Sequence, residues 1–432
     1  MKGEKLKRIL FKGDKTIWIV FITLCAISWV EVFSATSRQT YETGSYWGPI
    51  IKHTGFLVGG ILIAWFMHTL KAKWIDKLSG IIYWIGLIGL VWAQLQGARI
   101  NDSARWISIM GMTFQPMELA KMGVVMMTAR ILAKYHNGEA LANSKRIKLI
   151  NRIYTQILGI FIKNPKKGFI NNDNAAYWRI LACTIIPSVI IFKENFSSAV
   201  LLVFTVFFMM FIGRIPKKQM LITIGTAAAG ATFMVGTIIY TPQILYPIFG
   251  KSKVMTWHNR INEAVNPKPV TAEEYDMDKN AQKTYSHIAI ASSNIIGCGP
   301  GNSIQRDFIP HAYSDFIFAV IIEELGLLGA AFVILLYLTL LFRSGKIASK
   351  CDDPFPAFLS MGIGMIIVMQ ALLHMYISVG DFVTGQPLPL MSQGGTSVLI
   401  NCIYIGFLLS ISQYANKTEE KKKAIQGKTL HL

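Results

Sequence analysis

Charge is scarce in this sequence, and acidic residues are its scarcer half. Asp, Glu, Lys and Arg make up only 16% of the 432 residues, with 24 acidic side chains against 43 basic ones, while 52% of the residues are hydrophobic. The mean hydropathy is +0.42. So little charge on so apolar a chain excludes an ordinary soluble domain and predicts a polytopic membrane protein.

Cysteine pairs, repeats and nucleic-acid modules are also missing. The five cysteines form no CxxC pair and show no metal-ligand spacing, so the sequence names no metal ligand. No period of about 20 to 50 residues indicates a repeat architecture. The net charge of +19 comes from Lys and Arg in short runs between apolar segments, without a basic-aromatic module. This pattern is typical of topology signals and excludes nucleic acid as the expected partner.

Apolar runs of roughly membrane-spanning length recur along the chain. They cover residues 17–35, 49–70, 78–93, 115–133, 176–192, 197–212, 220–240, 315–341, 355–378 and 396–412. The sequence therefore predicts an all-α polytopic membrane protein of about ten transmembrane helices, with a large loop, 241–314, between helices 7 and 8. A tail, 1–16, and a basic tail, 414–432, flank this membrane domain of residues 17–413.

The Lys and Arg runs predict the orientation. With ten spans they all fall on one side, which should be cytoplasmic together with both termini. The polar segments 94–113, 241–314 and 380–395 then face outward together, and we expect the functional residues there.

The first outward segment carries two arginines and a tryptophan. Arg99 and Arg105 are candidates to clamp an anionic phosphate, with Trp106 at the interface. An ordinary interfacial belt of Arg and Trp explains the same pattern. Next along the chain, Glu118 and Lys121 are three residues apart and can pair inside the membrane, which makes them structural first and leaves a functional role open.

The stretch from Gly297 to Gly326 changes from a glycine-rich loop into an apolar helix at Asp315. Ser314 or Asp315 can cap the first turn of that helix, and a cap is the alternative to a catalytic role. A carboxylate at an outward loop is also a candidate general base. Glu323 and Glu324 lie deeper along the helix, and we interpret them as buried structural residues.

The last motif, Val383–Ser397, contains two prolines and a diglycine before the tenth span. Prolines interrupt a helix, so this segment should be a re-entrant or surface loop, although a plain connector is possible. Ser392, Gly394 and Gly395 are its candidates for substrate contact. Arg260, in the long loop, is a further candidate for binding an anionic ligand.

Four segments together resemble the SEDS family of bacterial peptidoglycan polymerases, the FtsW and RodA type. They are V-F-S-A-T, A-R-W with Q-P-M-E-L-A-K, F-I-P-H-A-Y-S-D-F-I-F-A-V-I-I-E-E-L-G, and T-G-Q-P-L-P-L-M-S-Q-G-G-T-S. The G-P-G-N-S-I-Q-R wording is closer to the FtsW branch. Asn195, His374 and Gln393 depart from the family's usual residues, and Asn195 puts a charge-based role at its turn in doubt.

The resemblance implies a multi-pass enzyme of the bacterial cytoplasmic membrane that polymerises lipid II into glycan strands during cell division, beside a class B penicillin-binding protein and other divisome proteins. Its essential loop aspartate corresponds to Asp315, the expected general base of an inverting transfer. Arg99, Arg105, Lys121 and Arg260 are candidates to stabilise the leaving pyrophosphate. A divalent cation, Mg²⁺ or Mn²⁺, is compatible with such a leaving group, whereas no organic cofactor is expected.

Three alternatives remain open. A RodA-like elongation polymerase would use the same chemistry at another place in the cell. A lipid II flippase would use Lys121, Glu323 and Glu324 to line a path through the membrane. The third alternative is a non-catalytic scaffold for division proteins.

Overall fold

Ten long helices dominate the part of the chain that the structure, a computed structural model, describes: residues 12–37, 39, 44, 47–96, 98–100, 103–109, 112–139, 174–265, 281–380 and 385–429. We number them α1 to α10. They are Lys15–Ala35, Gly48–Met67, Ala72–Gln96, Pro116–His136, Ala175–Glu194, Phe196–Ile212, Lys217–Tyr240, Ile317–Lys350, Pro354–Val379 and Thr396–Thr429.

The predicted all-α polytopic membrane fold is confirmed. Eight of these helices are long and apolar enough to cross a membrane, and α6 is a shorter apolar helix of 17 residues. Helix α4 has 21 residues and carries the charged pair Glu118 and Lys121, which its neighbours bury. Each helix overlaps one apolar run of the sequence, because run length and turn residues are local signals.

The chain divides into two compact units, Met1–Met209 with Ala281–Leu432, and Met210–Asn280. In the larger unit, α3 packs along α4, α8 along α9, and α2 along α10. Helices α3 and α4 approach so closely that a Cβ on Gly123 would lie 2.6 Å from the Cα of Tyr83. Only a residue without a side chain fits there.

In the smaller unit, α7 exposes almost its whole apolar surface, with only Met220 and Ile238 buried. A helix that is apolar all round is typical of a membrane span. Three further helices follow it, Pro242–Leu245, Tyr246–Phe249 and Lys251–Val265. The long segment 241–314 therefore contains regular structure. Its part from residue 281 onward belongs to the larger unit and begins with the helix Ala281–Ser292.

A small antiparallel sheet occupies the first predicted outward segment. Its strands are β1, Ala98–Ile100, β2, Ser103–Ile109, and β3, Met112–Phe114, in the order β1-β2-β3. Trp106 pairs with Ala98 across β1 and β2. The sequence analysis identified this region only as a polar segment. Strands β1 and β3 have three residues each, too few to show an alternating pattern, and the seven residues of β2, S-A-R-W-I-S-I, do not alternate strictly between polar and apolar.

Asp14 fastens one end of the larger unit. Its Oδ1 accepts a hydrogen bond from the Thr16 amide at 2.9 Å, and its Oδ2 accepts one from the Arg343 Nε at 2.9 Å. The start of α1 is thereby held to α8. Helix α10 runs to Thr429, well into the segment predicted as a basic tail, and its Glu419 pairs with Lys350 at 2.5 Å.

Substitution of Gly123 by Ala is expected to lower stability, since the added methyl group overlaps the α3 backbone. We expect a loss of about 1–3 kcal/mol, seen as a lower unfolding temperature of the purified protein. Gly225→Ala in α7 is the matched control, because nothing lies within 4 Å of its Cβ position. Equal losses in both variants would contradict the close crossing.

Candidate active site

Helix α8 is interrupted at Gly326, whose φ of 70° and ψ of −174° are not helical. Segment 294–299 crosses α8 at this interruption and forms hydrogen bonds with the main-chain groups of α8 that the break leaves without helical partners. Four main-chain hydrogen bonds join them: Leu327 N to Asn294 O at 3.3 Å, Leu328 N to Ile295 O at 3.1 Å, Cys298 N to Glu323 O at 3.0 Å and Gly299 N to Glu324 O at 2.8 Å. The glycine-rich loop is therefore docked on the helix like an added strand.

This crossing requires glycine on both chains. A Cβ on Gly297 would lie 2.4 Å from the Glu324 carbonyl oxygen, and one on Gly326 would lie 2.4 Å from the Ile295 carbonyl oxygen. Both glycines also have positive φ, 81° and 70°. The glycines therefore permit close approach of two backbones.

The carboxylates of Glu323 and Glu324 hold the next part of the loop. Glu324, 0% exposed, accepts hydrogen bonds from the amides of Gly301 at 2.8 Å and Ser303 at 3.2 Å. Glu323, 5% exposed, accepts them from the amides of Ile304 at 3.1 Å and Gln305 at 3.3 Å. A carboxylate that accepts several amide hydrogen bonds is stabilised as the anion, so the pair anchors the loop.

Two residues that the sequence analysis did not single out as site residues complete this anchor. The hydroxyl of Ser34, in α1, donates to Glu324, and the Arg306 guanidinium lies 3.4 Å from the same carboxylate and contacts Ser34. We name the loop Gly297–Asp307, together with Glu323, Glu324 and Ser34, the clamp.

Asp315 lies at the end of this loop, at the entrance to α8. Its amide donates to the His311 carbonyl at 3.1 Å, and its side chain is partly exposed. The predicted cap is wrong: α8 begins at Ile317 with Phe316 as its N-cap, and no side chain caps it. His311, with a φ of 57°, turns the chain so that Asp315 precedes the helix.

The proline-containing loop packs against the Asp315 segment. The Ser392 hydroxyl donates to the Ser314 carbonyl at 2.7 Å, and the Gln393 amide donates to the Tyr313 carbonyl at 3.0 Å. Ser392 is 1% exposed and also accepts from the Leu388 amide at 2.8 Å. The structure thus brings together two motifs whose contacting residues, Ser314 and Ser392, are 78 positions apart in the sequence.

The ion pair of Glu118 and Lys121 in α4 is connected to the proline-containing loop by hydrogen bonds. Lys121 Nζ lies 2.8 Å from Glu118 and donates to Gln370 Oε1 at 3.0 Å. Gln370 in turn donates to the Pro387 carbonyl at 3.2 Å. His374, which departs from the family pattern, binds the Gln386 carbonyl through Nδ1 at 2.6 Å. Lys121 is 1% exposed, so its ammonium group contacts only neighbouring protein groups. Through Gln370 it helps to fix the position of the proline-containing loop.

The remaining candidates are located only by their backbones. Arg99 lies on β1, and Arg105 and Trp106 lie on β2, in the larger unit, while Arg260 lies on Lys251–Val265 of the smaller unit. The positions of these four side chains lie outside the described residues. Gly394 and Gly395 are partly exposed beside Ser392.

A small recess near the proline-containing loop has a volume of about 20 Å³, enough for about one water molecule. Its walls include Leu90, Gln94, Gln115 and Glu194. The Gln115 amide donates to the Thr396 hydroxyl at 3.1 Å, which places the recess next to the diglycine. In the described part of the chain, no group of three or more His, Cys, Asp or Glu residues is arranged to hold a metal ion.

Comparison with known proteins gives consistent matches. The model of a family described as cell cycle protein, FtsW, RodA and SpoVE, matches residues 14–417. A probable peptidoglycan glycosyltransferase FtsW of Halomonas elongata is 25% identical over 425 residues, 96% of this chain and 94% of that protein. The protein of the same description in Bacillus subtilis is 27% identical over 429 residues, 97% of this chain and 95% of that one.

Solved structures share the fold. A chain from a peptidoglycan synthase complex that coordinates polymerisation and crosslinking superposes with a TM-score of 0.64 at 19% identity, covering 93% of this chain and 98% of that chain. Rod shape determining protein RodA of Thermus thermophilus gives 0.56 at 18% identity, covering 93% and 96%.

The fold and the clamped loop define a polytopic membrane protein with a carboxylate held at the end of its helix bundle. The chain belongs to the FtsW, RodA and SpoVE family, which its model matches over nearly the whole length. The resemblance inferred from the four motifs is confirmed.

Substitution of Gly297 by Ala is expected to undock the loop, since its Cβ overlaps α8. Burial, and then the carboxylates of Glu323 and Glu324, raise the pKa of the Cys298 thiol. Because the thiolate is the reactive form, undocking should speed alkylation of Cys298 at neutral pH. The rate is measured by mass spectrometry of the labelled peptides.

Gly301→Ala is the matched control for that experiment. Its φ of 83° is as unfavourable for alanine as that of Gly297, but nothing lies within 4 Å of its Cβ position. If both variants alkylate Cys298 at the same rate, strain at positive φ explains the effect and the overlap with α8 does not.

The buried ion pair predicts a non-additive result. Lys121→Met leaves Glu118 buried without its cation and should cost about 3–5 kcal/mol, whereas the double variant Glu118→Leu, Lys121→Met should cost much less. Unfolding temperatures of the purified variants test this. A double variant as unstable as the sum of both single variants would contradict it.

Proposed function

We propose that this chain is a peptidoglycan glycosyltransferase that polymerises lipid II into glycan strands during cell division. Its FtsW relatives are described as probable peptidoglycan glycosyltransferases, which supports the reaction type. The observation that carries the proposal is the position of Asp315. Its carboxylate is partly exposed at the entrance to α8, on a segment bound on one side by the clamp and on the other by the proline-containing loop. A group held by both sides suits a reaction that needs fixed geometry.

In this proposal Asp315 is the general base. The acceptor sugar hydroxyl attacks the anomeric carbon of the donor, its proton passes to the Asp315 carboxylate, and the bond to the undecaprenyl pyrophosphate breaks. A single displacement inverts the configuration, which agrees with an α-linked donor and a β-linked product. Partial exposure lets the carboxylate reach a bound hydroxyl, while Glu323 and Glu324 are fully engaged in the clamp.

The leaving pyrophosphate needs cationic groups. Arg99 and Arg105 are the proposed contacts, with Trp106 beside the lipid, and Arg260 is a candidate for the same role by its sequence alone. Lys121 has a different part in this proposal: Glu118 and Gln370 occupy its ammonium group, and through Gln370 it supports the proline-containing loop.

Ser392 positions the Asp315 segment through the Ser314 carbonyl, which leaves Gly394 and Gly395 as the more accessible part of this loop. A divalent cation, Mg²⁺ or Mn²⁺, would take most of its ligands from the pyrophosphate and water, as Mg²⁺ does with phosphate substrates.

We further infer the setting of the reaction. The chain would lie in the bacterial cytoplasmic membrane with both termini in the cytoplasm, as its Lys and Arg runs predict. A class B penicillin-binding protein would crosslink the strands, and divisome proteins would recruit the pair. The structural similarity to a chain of a synthase complex that coordinates polymerisation and crosslinking supports such a partner. The RodA-like alternative shares all of this chemistry.

The flippase alternative is less well supported. It requires Lys121, Glu323 and Glu324 to line a path, yet each is at most 5% exposed. Lys121 is paired with Glu118, and both glutamates accept hydrogen bonds from the clamp loop. Groups already paired inside the protein are poor candidates for a translocation route.

Asp315→Asn should lower glycan polymerisation by about 100-fold or more, because a general base typically contributes that much. Purified protein, alone and with its transpeptidase partner, is given labelled lipid II and the products are resolved on a gel. Asp352→Asn, which removes an exposed carboxylate outside the clamp and the proline-containing loop, should retain activity. Absence of polymer from the unmodified protein in both preparations, or full activity of Asp315→Asn, would overturn the proposal.

A further inference from the structure

A buried polar stripe runs along α1 toward the clamp. Ser28, Glu31 and Ser34 are spaced three residues apart, so they share one face of the helix. They are 0%, 0% and 3% exposed. The Ser28 hydroxyl donates to the Met391 carbonyl at 2.8 Å, and the Ser34 hydroxyl donates to Glu324. This stripe joins α1 to both loops of the candidate active site.

Glu31 is the exception in this stripe. Both of its carboxylate oxygens are buried, and neither accepts a hydrogen bond from any residue that the structure describes. The charged group that acts on it electrostatically is Glu324, which has the same sign. The guanidinium of Arg306 contacts Ser34 and Glu324, and His53 of α2 contacts Ser28. The remaining nitrogens, Arg306 Nε and His53 Nδ1, are buried and form no hydrogen bond with Glu31 or with any other described residue.

The charges in this region do not balance if all the carboxylates are ionised. Glu31, Glu323, Glu324 and the half-exposed Asp307, which lies 3.9 Å from Arg306, would supply four negative charges against the one positive charge of Arg306. Glu323 and Glu324 each accept two hydrogen bonds from main-chain amides of the clamp loop. Glu31 has no such donors, and an unpaired ionised carboxylate inside a protein costs several kcal/mol.

A metal ion is a poor solution to this imbalance. Within the described residues, no group of three or more His, Cys, Asp or Glu residues could hold one. The Glu324 oxygens already accept from Gly301, Ser303, Arg306 and Ser34. A proton on Glu31 removes the charge without needing further ligands.

We propose that Glu31 is a proton-binding site that controls the clamp: it is protonated while the loop Gly297–Asp307 is docked, and its ionisation releases that loop. Ionised Glu31 would repel Glu324 and compete with it for Ser34 and Arg306. Protonation of Glu31 therefore favours the docked form, so docking is complete at low pH and is lost as the pH rises. The proposal concerns loop docking and does not depend on the glycosyl transfer proposed above.

The first test detects the proton directly. Infrared spectra of the purified full-length protein at neutral pH should contain a protonated-carboxyl band that is lost in Glu31→Gln. Glu118→Gln is the matched control, because Glu118 is equally buried but paired with Lys121, and its removal should leave the band in place. A spectrum in which Glu31→Gln removes no such band overturns the proposal.

The second test measures docking. Amide exchange of Gly301, Ser303, Ile304 and Gln305, corrected for the intrinsic effect of pH, should lose protection in the unmodified protein by up to about tenfold per pH unit above the titration point, since one proton is released. Glu31→Gln should lose none. Equal pH dependence in both proteins would refute the coupling. Should Glu31→Gln fail to fold, the exchange profile of the unmodified protein decides, because pH-independent protection contradicts the proposal.

Repeating the exchange measurement with a chelator distinguishes a proton on Glu31 from a metal ion bound there. Removal of divalent cations should leave the protection of these amides unchanged in both proteins. If chelation exposes the loop in the unmodified protein but not in Glu31→Gln, a metal ion occupies the site and the proposal is wrong.

Discussion

Hydrogen bonds from a loop to two carboxylates at a helix break organise one end of this molecule. Gly326 interrupts α8 and leaves main-chain groups that segment 294–299 binds. Glu323 and Glu324, next to the break, then hold the following residues of the loop. Charged side chains are costly inside a membrane protein, and here that cost is offset because each carboxylate accepts several hydrogen bonds. The position of Asp315 depends on this arrangement.

A second support reaches Asp315 from the opposite side. The loop with Pro387 and Pro389 is held by Gln370 and by the Tyr337 hydroxyl, and Ser392 fastens it to the Asp315 segment. The ion pair of α4 lies at the base of this network. The buried charged residues Lys121, Glu323 and Glu324 thus help to fix the positions of the two loops. They need not line a transport path to contribute to a reaction at the membrane surface.

Some features were predictable because they depend on neighbouring residues. The ten spans follow from the lengths of the apolar runs, and the pairing of Glu118 with Lys121 follows from a spacing of three residues on one helix. Other features were missed. The start of α8 was placed at Ser314 or Asp315 because both are good capping residues, but His311 turns the chain and delays the helix to Ile317. Strand β1, which carries Arg99, has only three residues, and the seven residues of its partner β2 do not alternate strictly between polar and apolar.

By itself the sequence determined the class of fold, the family and the carboxylate on which the proposed chemistry depends, since these follow from local patterns and from motifs in a fixed order. Only the tertiary structure decided what the other buried acids contact. Ser34 and Glu324 are 290 positions apart, and no local pattern indicates that they meet. Glu31 looks like one more residue of an apolar span until the structure shows both its oxygens buried near a second carboxylate. Contacts of this range are set by how helices pack, and that information is spread over the whole chain.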